Sequence, residues 1–274
     1  MIELKTPQEI DEIARGGSII AQLFRELEPR IAPGVSTLQL DTFAEMFIRS
    51  SEGAVPVFKG LYGFPGSLCT SINDEVVHGI PSAKRVLTEG DIVSIDVGVK
   101  LDGWCSDSAR TFPVEEVDGE KKRLLEVTKE ALECAIKAAV HGSHVGDIGH
   151  AVERVVSITG FSIIRDLVGH GVGRKVHEDP QVPNYGRPGT GAELKEGMVL
   201  AIEPMIAAGA HQIRTLADRW TMVTTDGSAS AHFEHTVALT TDGPRVLTAE
   251  GGPVKTHRGT VLKGTRSTKS TLRA

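Results

Sequence analysis

The stretch from Asp91 to Phe112, D-I-V-S-I-D-V-G-V-K-L-D-G-W-C-S-D-S-A-R-T-F, constrains the fold of this chain more than any other. Asp96 stands among Ile92, Val93, Ile95, Val97 and Val99, a run apolar on more than one face, as in a strand buried on both sides. Aspartate is depleted in strands, and a buried carboxylate without a partner is costly. With Leu101-Asp102 at the centre of a two-residue hairpin, residues whose numbers sum to 203 oppose one another, so Asp96 faces Asp107. Directly opposed Cβ atoms lie about 4.5–5.5 Å apart, and like charges there are destabilising. At an effective dielectric of about 20, two such charges at about 4 Å repel by roughly 4 kcal/mol, and a divalent cation between them converts repulsion to attraction. A metal ion is therefore the first expectation; a solvated hairpin with two unrelated surface acids is the alternative.

The rest of the chain reads as a repeated order. Thr6-Pro7-Gln8-Glu9 combines an N-cap, a proline at the first helical position and a glutamate at the third, predicting a helix to about Glu28. Ser36 with Gln39 forms a second capping box ahead of a stripe of Leu38, Leu40, Phe43, Phe47 and Ile48, ending near Ser51. After Gly53 the pattern turns to strands and loops. Asp118 then caps a helix from about Gly119 to Val140, Gly142 breaks it, and Asp147 to Ile158 reads as a shorter helix, again followed by strand-like runs. Helix, glycine turn, helix, strands thus appears twice about 110 residues apart, a duplicated half rather than a solenoid. No Pro/Ser-rich linker separates the halves, so residues 1–250 are expected to form one α+β domain whose strands meet centrally, with a cleft between the halves.

Bulk numbers limit the function class. Apolar residues make up 40 % of the 274 positions and charged ones 24 %, which suits a globular enzyme rather than a disordered or fibrous chain. The three cysteines, Cys69, Cys105 and Cys134, have no C-x-x-C spacing, which argues against a disulfide framework or a thiolate zinc site. An acidic start and the lack of any long apolar run predict a cytoplasmic protein with no membrane partner. Six Lys/Arg and no acid lie between Gly252 and Ala274, so a tail of +6 within a net charge of −6 leaves −12 on the body. That tail, 251–274, reads as a basic, disordered, solubilising end, with polyanion binding as the alternative.

Four further segments put polar groups in apolar surroundings. His78 lies in N-D-E-V-V-H-G-I-P; His170 and His177 lie in G-H-G-V-G-R-K-V-H-E-D-P, whose glycines rule out a helix; Glu203 interrupts M-V-L-A-I-E-P-M-I; and Glu234 precedes a strand-like run in A-H-F-E-H-T-V-A-L-T. A lone strand histidine is more often a hydrogen-bonded structural residue than a ligand, and either glutamate alone suits an edge strand. G-H-G-V-G lacks the G-x-G-x-x-G spacing of a nucleotide loop. Together, two aspartates, two glutamates and a histidine in such contexts require either several buried unpaired charges or a cation cluster, and five groups suit two metals.

The ordered motifs N-D-E-V-V-H-G-I-P, D-I-V-S-I-D-V, D-S-A-R-T-F, G-H-G-V-G with V-H-E-D-P, A-I-E-P and F-E-H-T, over residues 5 to 248, resemble those of the type I methionine aminopeptidases. The resemblance implies the pita-bread fold, pseudo-two-fold halves around a central curved antiparallel sheet with helices outside. It implies two divalent ions (Co, Mn, Fe or Zn) on Asp96, Asp107, His170, Glu203 and Glu234, with Asp107 and Glu234 bridging. It also implies Glu203 as a proton shuttle, His177 at the substrate carbonyl oxygen, His78 at the scissile nitrogen or leaving amine, and a methionine pocket over Phe58, Leu61, Phe64, Cys69 and Trp220. Two ions so held lower the pKa of a bridging water from about 15.7 toward 7, which provides hydroxide at neutral pH. The implied reaction is removal of N-terminal methionine from nascent proteins and peptides when the second residue is small.

The chain departs from the family pattern at Leu61, where tyrosine is common, at Val176, where phenylalanine is common, and at His232, where glutamine is common; less aromatic wall is expected. The implied partners are nascent polypeptide N-termini, with the ribosome as a further candidate, no DNA, and a monomeric state. Two alternatives are another pita-bread aminopeptidase and a pseudoenzyme binding peptide or RNA. Proline-directed relatives carry an added N-terminal domain for which there is no room ahead of Thr6, and a pseudoenzyme is expected to lack ligands.

Overall fold

The computed structural model describes residues 1–249, and the basic tail of the sequence analysis lies outside them. The first half opens with α1 (Pro7–Leu27), where the Thr6 hydroxyl accepts from the Glu9 N–H and the Glu9 carboxylate accepts from the Thr6 N–H. One tight turn, Glu28–Arg30, leads to α2 (Thr37–Ser50), which starts at the Ser36–Gln39 box. The strands β1 (Ala54–Pro56), β2 (Cys69–Ile72), β3 (Glu75–Val77), β4 (Ile92–Leu101) and β5 (Trp104–Pro113) follow. Alternation along β4 decides where Asp96 points: Val93, Ile95, Val97 and Val99 pack with Ile20, Phe24, Leu40 and Ile48 of the two helices, so Asp96 faces the opposite side.

The hairpin differs from the sequence expectation by one step in each strand. Leu101 pairs with Trp104, Gly98 with Asp107 and Asp96 with Ala109, so opposed residues sum to 205 and the turn is Asp102-Gly103. Both turn residues have positive φ, 49° and 87°, the backbone that an Asp-Gly pair supplies readily. Asp96 and Asp107 therefore share a face as diagonal neighbours and are not directly opposed.

The second half repeats the plan. Asp118 caps α3 (Gly119–Ala138) through Lys121 N–H. The shorter helix α4 (Val145–Val156) begins two residues earlier than expected, because Asp147 is its third residue, with a carboxylate accepting from the His144 N–H at 2.7 Å. Ten strands follow: β6 (Ser162–Ile163), β7 (Val168–Gly171), β8 (Glu178–Pro183), β9 (Val199–Ile202), β10 (Met205–Ala207), β11 (Ile213–Thr215), β12 (Met222–Thr224), β13 (Ser230–His232), β14 (His235–Thr240) and β15 (Gly243–Val246). Each half has one antiparallel bridge at the start of its second helix, Ser36 to Val86 and His144 to Glu193, and a left-handed glycine, Gly90 or Gly197, shortly before its main strand.

All strand pairings are antiparallel, which makes the class α+β. Strand β4 carries β5 on one edge and β1 and β2 on the other; the second half runs β15-β14-β9-β7-β8, with two small sheets, β13-β10-β6 and β11-β12-β3, beside them. The two main ladders meet where β5 passes the segment 232–236. There the Asp107 N–H donates to Thr236 Oγ1, the Ser108 hydroxyl donates to the Glu234 carbonyl, and the Glu234 N–H donates to the Ala109 carbonyl. Helices α3 and α4 cover the second ladder as α1 and α2 cover the first, which leaves the chemistry at the seam.

Candidate metal centre

The four acids and one imidazole are set by strands: two lie within the long hairpin and three at or beside the ends of short strands. Asp96 lies on β4 opposite Cys69 of β2, Asp107 on β5 opposite Gly98, and His170 on β7 between two glycines. Those glycines are required: a Cβ on Gly169 would lie 2.3 Å from the Ala201 carbonyl oxygen, and one on Gly171 2.1 Å from that of Asp179. Glu203 sits in the break that Pro204 imposes between β9 and β10, its carbonyl accepting from Asn184 Nδ2 at 3.0 Å. Glu234 falls between β13 and β14. The first half thus brings two aspartates to the seam, and the second half two glutamates and His170.

All five line one cleft of about 270 Å³. Asp107, His170 and Glu234 each offer an atom within 4.8 Å of the others, and His170 Nε2 is 3.5 Å from Glu203 Oε1 and 3.9 Å from Asp107 Oδ2. The His170 Nδ1–H donates to the Gly171 carbonyl at 2.9 Å, which leaves Nε2 as the free lone pair facing the acids. Asp107 and Glu234 are 3 % and 2 % exposed, and Asp96 Oδ1, Asp107 Oδ1 and Glu234 Oε1 are buried without a hydrogen-bond partner. Burial is the main reason all four carboxyls resist ionisation. It raises Asp96 to about 7, with Glu203 adding to the rise and His232 opposing it; it raises Glu203 to about 7 against His170; and it raises Asp107 and Glu234 well above the carboxylate range, with neighbouring acids adding to the effect.

Orphaned buried oxygens beside an imidazole with a free nitrogen are what a divalent cation would satisfy, and an oxygen-rich set with one nitrogen suits first-row divalent ions. The residues fit a metal centre.

The rest of the cleft is apolar and aromatic. Phe58, Leu61, Phe64, Cys69 and Trp220 all line it, as do His78 and His177. Trp220 meets Phe64 edge-on at 5.2 Å and His78 edge-on at 6.4 Å, and the His177 ring lies 4.5 Å from that of His170. Burial lowers His78 to about 4 and also lowers His177, so both are neutral at pH 7 and each has a donor and an acceptor to offer. Val176 is buried beside the cleft without lining it.

His232, noted in the sequence as a departure from the family pattern, also lines the cleft, and further lining residues, among them Tyr62, Leu167 and Met205, carried no pattern that marked them. The Tyr62 ring stacks on His177 at 6.3 Å, which returns an aromatic surface next to Leu61. Its one sequence signal is the flanking Gly60 and Gly63, both left-handed.

With this geometry in place the class is plain: residues 11–241 match the model of metallopeptidase family M24. Within that class the chain belongs to the methionine aminopeptidases. It is 51 % identical over 248 residues to methionine aminopeptidase 1 of Bacillus subtilis, covering 90 % of this chain and 99 % of the relative. The crystal structure of methionine aminopeptidase from Thermotoga maritima superposes with a TM-score of 0.89 at 46 % identity, over 91 % of this chain and 100 % of that one. A prolidase from Pyrococcus furiosus shares the pita-bread fold, with a TM-score of 0.70 at 25 % identity over 89 % of this chain, which spans 65 % of the prolidase.

Proposed function

We propose that this chain is a metal-dependent hydrolase that removes the N-terminal methionine from polypeptides whose second residue is small. The observation that carries the reading is the cluster of orphaned carboxyl oxygens and one oriented imidazole opening onto an aromatic cleft. Asp96, Asp107, His170, Glu203 and Glu234 would hold two divalent ions, with Asp107 and Glu234 shared between them. Bound there, divalent cations polarise the scissile carbonyl and make a water acidic enough to attack near neutral pH.

The chain's own groups do the remainder. Glu203, at the edge of the cluster beside His170, accepts the proton of the attacking water and returns it to the leaving amine. His177 donates to the carbonyl oxygen as negative charge develops on it, and His78, across the cleft against Trp220, contacts the scissile nitrogen. Phe58, Leu61, Phe64, Cys69 and Trp220 enclose the thioether, which aromatic rings receive well. Residues 1–250 act as one catalytic domain, in the cytoplasm, on nascent chains as the ribosome releases them, and as a monomer. Manganese, iron, cobalt and zinc all suit four carboxylates and one imidazole.

Incubation of the metal-loaded protein with Met-Ala-Ser and Met-Phe-Ser tests the reading. Methionine is expected from the first and not the second. No release from Met-Ala-Ser overturns the activity, and equal release from both overturns the preference for a small second residue.

A further inference from the structure

We propose that His232 is a positioning residue for Glu203, donating from Nε2–H to Glu203 Oε2 and so turning Oε1 toward His170 and the metal centre; this rests on the reading of Glu203 as ligand and proton carrier. His232 is 2 % exposed, and neither ring nitrogen has a hydrogen-bond partner. A polar ring buried in that state costs free energy, and its surroundings are those of a group kept for a task. Its backbone is fixed at the seam, where its N–H donates to Thr111 Oγ1 at 2.8 Å and its carbonyl accepts from the same hydroxyl at 2.9 Å. From that anchor, Nε2 lies 3.5 Å from Glu203 Oε2, while Glu203 Oε1 lies 3.5 Å from His170 Nε2. The carboxylate is thus bracketed by two imidazoles, one on each oxygen.

The two imidazoles do different things. His170 converges with Asp107 and Glu234 on a common point, and His232 is not in that convergent group. Its reach is to the far oxygen of Glu203. A 3.5 Å separation is long for N–H···O, and a small rotation about the glutamate side-chain bonds closes it. Partners of this kind behind metal-binding groups typically account for 10–100-fold in metal affinity or activity.

The test compares wild type, H232L, H232Q and E203Q, each stripped with a chelator and titrated calorimetrically with Mn²⁺, with steady-state kinetics on Met-Ala-Ser alongside. H232L is expected to bind Mn²⁺ about 10–100-fold more weakly and to lose kcat with little change in KM. Its metal-free form is expected to keep the wild-type circular dichroism spectrum, so that weaker binding reports on Glu203 and not on unfolding. H232Q, whose amide N–H reaches the same oxygen, is expected to restore both affinity and kcat. Wild-type affinity and kcat in H232L, or an H232Q as impaired as H232L, overturns the positioning role. If E203Q binds Mn²⁺ and turns over as wild type does, the reading of Glu203 itself falls, a result distinct from failure at His232.

Discussion

Asp107 and Thr236 exchange two hydrogen bonds across the seam: the Asp107 N–H donates to Thr236 Oγ1 at 2.9 Å, and the Thr236 hydroxyl donates back to the Asp107 carbonyl at 2.7 Å. One fully buried threonine of the second half thereby fixes the backbone of the strand residue that faces the centre from the first.

Thr236→Val keeps the shape and removes both bonds, leaving a buried N–H and C=O unpaired. A stability loss of about 1–3 kcal/mol is expected in denaturant unfolding, together with weaker metal binding. Thr236→Ser retains the hydroxyl and is expected to stay near wild type in both measurements.

Asp107→Asn should abolish methionine release and lower the bound metal per chain, measured on the same preparation by elemental analysis. An amide is a near-isostere of the protonated carboxyl that burial favours here, so the metal-free variant is expected to fold normally by circular dichroism. Persistence of full turnover and full metal content contradicts the bridging assignment.

The metal-free protein should lose stability as pH rises. Asp96 and Glu203 are raised to about 7 in the folded chain, above their unfolded values near 4, so the folded state holds more protons. Their favourable contribution is complete below about pH 4 and is lost as pH passes about 7. Calorimetric scans in chelator are expected to show a lower Tm at pH 8 than at pH 6.5, a window that lies above the range where the buried histidines, lowered from their usual value, oppose the trend. Saturating Mn²⁺ should reverse the trend, because ions bind the deprotonated groups and release protons on binding.

Trp220→Ala removes the ring that packs edge-on against both Phe64 and His78. Loss of that wall is expected to raise KM for Met-Ala-Ser by about 10-fold, the scale of roughly 1–3 kcal/mol for a trimmed apolar pocket, with a smaller change in kcat. Unchanged KM places the methionine side chain elsewhere.

The legibility of these features in the sequence follows how local each one is. The capping boxes at Thr6 and Ser36 involve four consecutive residues and fix their helix starts directly. His144 is a poor N-cap type, so Asp147 looks like the cap when it is the third helical residue, and the start shifts by two. Centring the hairpin on Leu101-Asp102 instead of Asp102-Gly103 shifts the register by two, and the period of two along a strand keeps Asp96 and Asp107 on one face. The paired acids were therefore legible although the pairing was not. Glu203 was legible because it breaks an apolar run. Tyr62 was not, and His232 showed only as a departure from the family pattern, because a ring stacked on His177 and an unpartnered imidazole beside Glu203 exist only once distant segments are brought together.

The placement of the donors on both sides of the seam has a consequence for biogenesis. A chain emerging from synthesis with only its first helix pair and β-ladder formed owns Asp96 and Asp107 but none of the second-half donors, and the face that carries them stays open to water until the partner ladder docks. Hydrolytic competence therefore reports on completion of the whole architecture, and a cut in the connection between Pro113 and Gly119 is expected to yield two inert fragments that regain activity only on reassociation.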